Sequence, residues 1–160
     1  MSLRLRKPVP DAVRALAPSE RRLAWALSDD GTPLVATPTS LYAGELALWW
    51  TSVAKVAWQP PVLTLREVAT VEGTGPLHRY ALAEDHGLAE VVRAQVTSSV
   101  AWSDVRRLEP RGKVRVVGRR VPGVDALLWQ VVWLDGTDPS DPALAAQADA
   151  HVAALRGSLG

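Results

Sequence analysis

Between Arg22 and Leu82 no apolar segment runs long enough for an ordinary helix before a turn signal interrupts it. Ser28-Asp29-Asp30-Gly31, Pro38-Thr39, Ala43-Gly44-Glu45, Pro60-Pro61 and Glu72-Gly73-Thr74-Gly75-Pro76 separate short runs rich in Val, Leu, Thr, Trp and Tyr. Aspartate and glycine tolerate the left-handed backbone of tight hairpins, and proline cannot donate to a central ladder. The spacing therefore predicts a series of short antiparallel strands through 22–83. They are Arg22–Leu27, Pro33–Thr37, Ser40–Tyr42, Leu46–Trp50, Val53–Trp58, Val62–Val68 and His78–Leu82.

The period then changes. Leu88, Val91, Val92 and Val96 recur at helical spacing and predict a helix near 88–97. Val100, Trp102 and Val105 lead into a turn at Glu109-Pro110-Arg111-Gly112. Val114–Val117 and Leu127–Trp133 read as a hairpin about Val121-Pro122-Gly123. Asp141-Pro142 supplies an N-cap and a first-turn proline to an Ala-rich helix over 142–156. Leu144, Ala148, Val152 and Leu155 line its apolar face, and Gly157 ends it. Near the start, Asp11 is the expected N-cap of a short turn that Pro18 stops. The expected class is mainly β (α+β). It comprises an N-terminal arm and short helix over 1–17, a β domain over 18–100 and a hairpin-plus-helix subdomain over 101–160. The last is too small to bury much alone, so it is expected to pack on the first.

Composition narrows the chemistry. There is no cysteine, which removes disulfides and thiolate sites, and the net charge of +1 gives no global pull toward nucleic acid or membrane. No apolar run approaches the length of a membrane span, and Met1–Lys7 leads into Pro8 and Pro10 rather than an apolar core. A cytoplasmic, soluble chain is the expectation. Phe, Ile and Asn are absent and Lys occurs three times, a bias that fits GC-rich coding. Without Phe or Ile, the seven Trp are expected to supply much of the large core volume. Trp25, Trp58, Trp129, Val131 and Leu155 are the expected core positions.

Three segments carry a further pattern. Ser19-Glu20-Arg21-Arg22-Leu23-Ala24 precedes Pro33-Leu34-Val35-Ala36-Thr37 with Leu41-Tyr42, and then Leu48-Trp49-Trp50-Thr51-Ser52-Val53-Ala54-Lys55-Val56. In this order they resemble the bacterial pleckstrin-homology-like (PH-like) fold over about residues 18–100. The resemblance implies an antiparallel barrel or sandwich with the 88–97 helix plugging its open end. The whole chain also resembles a family of uncharacterised actinobacterial proteins, which implies no function. Phosphoinositide-reading members of the PH class carry basic residues in the first hairpin loop. Here that loop is the acidic Ser28-Asp29-Asp30-Gly31, which argues against a phosphoinositide.

Catalytic motifs are fragmentary. Ser52-Val53-Ala54-Lys55 matches a serine-x-x-lysine pattern but falls in a strand segment, and its usual companion triplets are missing. Gly73-Thr74-Gly75 lacks the lysine and hydroxyl of a phosphate loop, so no cofactor is expected. Glu84-Asp85-His86 lacks a metal-like partner, and Asp135, Asp138 and Asp141 suit turn and cap duties better than a calcium loop.

The charge is most uneven between 106 and 120, where Arg106, Arg107, Arg111, Lys113, Arg115, Arg119 and Arg120 face only Glu109. Alternation puts Lys113, Arg115 and Arg119 on one side of a strand, with Val114, Val116 and Gly118 on the other. Arg107, Lys113, Arg115 and Arg119 form a candidate basic strip, with Trp50 as a candidate exposed contact because Trp49 and Trp50 point to opposite faces. The plainer alternative is a solvated face with arginine stems over apolar surface. Three functional readings follow: a non-enzymatic binding or adaptor protein that contacts a protein or anionic ligand; an enzyme assembled from scattered groups such as Glu84, Asp85, His86 and nearby arginines; or RNA binding through 106–120.

Overall fold

A computed structural model describes residues 8–68, 75–122 and 124–159. After a short helix α1 (Asp11–Arg14), the turn signals divide the chain into seven strands: β1 (Ala24–Leu27), β2 (Pro33–Ala36), β3 (Ser40–Ala43), β4 (Leu46–Trp49), β5 (Val53–Gln59), β6 (Val62–Glu67) and β7 (Leu77–Ala81). All their pairings are antiparallel, in one sheet ordered β1-β2-β3-β4 and a second ordered β5-β6-β7. A 3-10 turn at Trp50–Ser52 carries the chain between the two sheets. Helix α2 (Leu88–Ser98) follows, then a third antiparallel sheet of β8 (Val100–Arg107), β9 (Lys113–Arg120) and β10 (Leu127–Leu134), ordered β10-β9-β8. Helix α3 (Pro142–Leu159) ends the described chain. The protein is mostly β. Among the described residues no helix is long and apolar enough to cross a membrane.

The expected elements at 22–83, 88–97 and 142–156 are present, with small differences at their ends. Asp11 is the first residue of α1 rather than its cap, and among the described residues no side chain caps that helix. Asp141 does cap α3, its Oδ1 accepting the Ala143 amide at 2.9 Å and the Leu144 amide at 3.4 Å. Helix α3 runs through Gly157 to Leu159, because a helix-interior glycine weakens a helix without breaking it. Most of the turn expected at 72–76 lies outside the described residues.

Two apolar cores form. The first lies between the β1–β4 and β5–β7 sheets under α2, and Leu34, Leu41, Leu63, Leu65, Leu88 and Val92 are fully buried there. The second joins Leu108, Val114 and Val116 to Leu144 and Ala148, with Val152 and Leu155 partly covered beside them. Leucine and valine carry this interior, which corrects the expectation that tryptophan would. Of the seven Trp only Trp50 is fully inside, and its indole N–H donates to the Thr37 carbonyl at 2.8 Å. Trp58, Trp129, Val131 and Leu155 are only half-buried, and so is Trp25, which stacks on His86 with ring centroids 4.3 Å apart. An indole carries an N–H that burial must satisfy, so an aliphatic side chain fills a dry layer more easily. Trp129 illustrates the difficulty: its Nε1 is covered without a partner among the described residues. Gly118 faces this indole closely enough that a β-carbon would sit 3.1 Å from the ring.

Glu20 pins the segment before β1 to the first sheet. Its carboxylate accepts hydroxyl donors from Thr39, Tyr42 and Thr37, the last at 3.1 Å. The Thr39 hydroxyl, then that of Tyr42, holds the Glu20 carboxyl below its ordinary 4.5. A carboxyl whose folded pKa is depressed stabilises the fold above its unfolded pKa, and that contribution is lost as pH falls through the folded value. Melting temperatures of the native protein and Glu20→Gln should therefore differ most near about pH 6 and converge as the pH is lowered toward about 3. A gap that stays constant across that range would show that the carboxylate's ionisation contributes nothing.

Candidate functional site

The anticipated basic strip is split by the tertiary structure. Lys113, Arg115 and Arg119 do share one face of β9, while Val114 and Val116 are fully buried against α3 on the other. Arg119, however, is only 3% exposed. It points into the seam between the third sheet and the first seven strands, and is a structural side chain rather than a free cation. Lys113 is paired with Asp135 at 3.3 Å and lies beside Arg107 and Arg111 at the β8–β9 turn. Arg107 is exposed there, and Arg115 is exposed at mid-strand. Trp50 is also corrected: it is buried at 3%, and Trp49 is the exposed member of the pair at 53%. The 3-10 turn after β4 breaks the simple alternation but leaves one indole in and one out.

Arg119 closes the seam with four hydrogen bonds. Its Nε donates to Gln130 Oε1 at 2.7 Å and its Nη2 to the Val53 carbonyl at 2.8 Å. Its Nη1 donates to Ser99 Oγ at 2.6 Å and to the Val96 carbonyl at 3.4 Å. Gln130 in turn donates to the Thr51 carbonyl. Val96 belongs to the last turn of α2, where unpaired carbonyls form the negative end of the helix dipole and favour a cation. Burial pulls the Arg119 guanidinium below its ordinary value, although it stays charged at any ordinary pH.

Four residues toward the start of β9, or ~13 Å along a strand, the same face no longer meets protein. There the outer face of β5–β6 and the β9–β10 face leave a cleft of about 660 Å³ between them. Lys55 and Arg66 rise from one wall and Arg115 from the other. Lys55 and Arg66 are directly opposite in the β5–β6 ladder, so they share a face at the closest cross-strand spacing. Arg66 is steadied by a 3.0 Å bond from Nη1 to the Gly75 carbonyl. Among the described residues the one carboxylate lining the cleft, Glu67, is held by His78 at 2.7 Å. Among the described residues, no carboxylate pairs with Lys55, Arg66 or Arg115. The remaining lining is largely apolar, from Ala54, Val132, Trp133, Leu134 and Pro139.

Lys55 and Arg66 were missed by reading charge along the chain, because eleven positions (66 − 55) separate them. The signal that brings them together was present. Lys55 stands five before Pro60 and Arg66 five after Pro61, so a two-residue hairpin turn at Pro60-Pro61 must place them opposite each other.

The other sequence candidates are occupied locally. Asp85 accepts the Leu88 amide through its carbonyl at 2.8 Å and the Ala89 amide through Oδ2 at 3.4 Å, starting α2. His86 stacks on Trp25 and lies 3.5 Å from Glu84, and Arg22 lines the same shallow hollow. Asp138 holds Ser140 in a turn. Ser52 and Lys55 do not share a helical turn, since Lys55 lies in β5. Among the described residues no group of three or more His, Asp or Glu is placed to hold a metal. Comparison with protein-family models, curated proteins and solved structures finds no match.

Arg119→Gln should lower stability by about 2–4 kcal/mol, because several buried acceptors lose a charged donor at once. Arg115→Gln on the same strand face should change it by less than about 0.5 kcal/mol. Chemical denaturation of the two variants checks this, and equal effects would refute the division between an interior and a free arginine.

Proposed function

We propose that the protein is a non-enzymatic binding module on a PH-like scaffold, and that it takes an anion-bearing partner into the cleft between β5–β6 and β9–β10. The succession of a four-stranded sheet, a three-stranded sheet and a helix supports the PH-like reading. The placement of Lys55, Arg66 and Arg115 supports the anion. Like charges directly opposite in a ladder destabilise it, so folding gives no reason to pair Lys55 with Arg66. A third cation across the cleft deepens the positive potential, and low-dielectric walls on both sides strengthen it. An anion placed among the three relieves that repulsion. The acidic 28–31 loop stands apart from this site and opposes an anion in the first hairpin, where a phosphoinositide would be read. The use of Asp85 in starting α2 and of His86 in stacking on Trp25 supports binding over catalysis.

Thermal unfolding with pyrophosphate as probe tests the reading. The native protein should be stabilised saturably, by about 1.4 kcal/mol at ten times Kd, and less as sodium chloride rises. The double variant Lys55→Gln/Arg115→Gln should lose that response. Without ligand it should be no less stable than the native protein, since a like-charge pair has been removed. An equal response from both proteins would refute the cleft as an anion site.

A further inference from the structure

The cleft is not lined as a site for a bare inorganic anion. Opposite and around its three cations, Ala54, Val132, Leu134 and Pro139 present apolar surface, while the ring of Trp133 packs on the opposite face of β10 in the second core. A hydrated anion held by the cations would leave that surface in water, whereas an apolar chain attached to the same head would cover it. Cation count and volume point the same way. Three cations that pair with no carboxylate among the described residues, in about 660 Å³, suit one acidic group and a body of small-molecule size, within the usual range of ligand cavities. A nucleic-acid strand would ask for a longer track of cations and for stacked aromatic faces. Of the other basic residues of the strip, Lys113 is bound to Asp135, Arg119 is interior, and Arg107, although exposed, does not line the cleft.

Building on the anion-binding reading above, we propose that the ligand of this cleft is a small amphipathic anion. It carries one acidic head set among Lys55, Arg66 and Arg115, and an apolar body laid along Val132, Leu134 and Pro139. The Arg119–Gln130 bonds wall off one end of the seam, so the body extends along β10 toward Pro139 rather than deeper between the sheets. The division of labour is specific. The cations select for charge and set the salt dependence, and the apolar wall adds affinity with each methylene it covers.

Isothermal titration with decanoate, acetate and decanol, on the native protein and on Lys55→Gln/Arg115→Gln, tests this. Decanoate should bind the native protein saturably and at least about tenfold more tightly than acetate, a factor that covering two methylenes already supplies. The double variant should bind decanoate at least about tenfold more weakly, with little change for decanol. If acetate matches decanoate while pyrophosphate still binds, the amphipathic ligand is overturned and the anion site stands. If decanol matches decanoate on both proteins, the amphipathic anion is overturned and the pyrophosphate response alone decides the anion reading; if decanoate and pyrophosphate both fail to bind, the two fall together. Sedimentation with phosphatidylcholine vesicles containing phosphatidylglycerol separates a free acid from a lipid headgroup. Capture by those vesicles without uptake of dissolved decanoate would overturn the proposal.

Discussion

A buried guanidinium holds this protein's layers together. Arg119 leaves β9, enters the seam and bonds at once to the start of β5, the end of α2 and the middle of β10. Placing a charge on a residue only 3% exposed is costly, and the cost is offset only when its donor nitrogens are met, as all three are here. None of its partners is a carboxylate. Carbonyls, a hydroxyl and an amide share the charge, with the α2 helix dipole behind them. A set of neutral acceptors drawn from three elements tolerates little displacement, so the bond network sets the approach of the third sheet to the first two as well as stabilising it. The cleft exists because that approach is tight at Arg119 and open at Arg115.

This geometry also explains why the basic residues of β9 have different fates although their sequence contexts look alike. Lys113 meets Asp135 at the strand end, Arg119 meets the seam, and Arg115 meets a space. The space is positive because the β5–β6 hairpin turns two further cations toward it. Apolar residues of β10 and the loop after it make up the rest of its surface. Charge and apolar area in one recess are the features that favour an amphipathic ligand, since each covers what the other leaves exposed.

Much of the architecture was legible in the chain. Turn residues marked the hairpins, the change of period marked α2, and Asp141-Pro142 marked the start of α3. These signals are local: a tight turn or a helix cap depends on a few neighbouring residues and on the backbone freedom of each. The tryptophans were misread because residue volume was weighed without the indole N–H, whose satisfaction depends on what lies across the interface. Trp50 found the Thr37 carbonyl and went inside. Trp49, its neighbour, stayed out.

The candidate site shows the same limit more sharply. Alternation along β9 assigned Lys113, Arg115 and Arg119 to one face, because successive side chains of a strand must point to opposite sides. The hairpin at Pro60-Pro61 likewise dictated that Lys55 meet Arg66. The sequence by itself thus determined which cations stand together on a face, along with the strands and helices that carry them. Only the tertiary structure decided that one end of the β9 face would be sealed against α2 and β5 while the other opened on a cleft. Strand periodicity is a property of the local backbone, whereas burial depends on which distant surface packs against it.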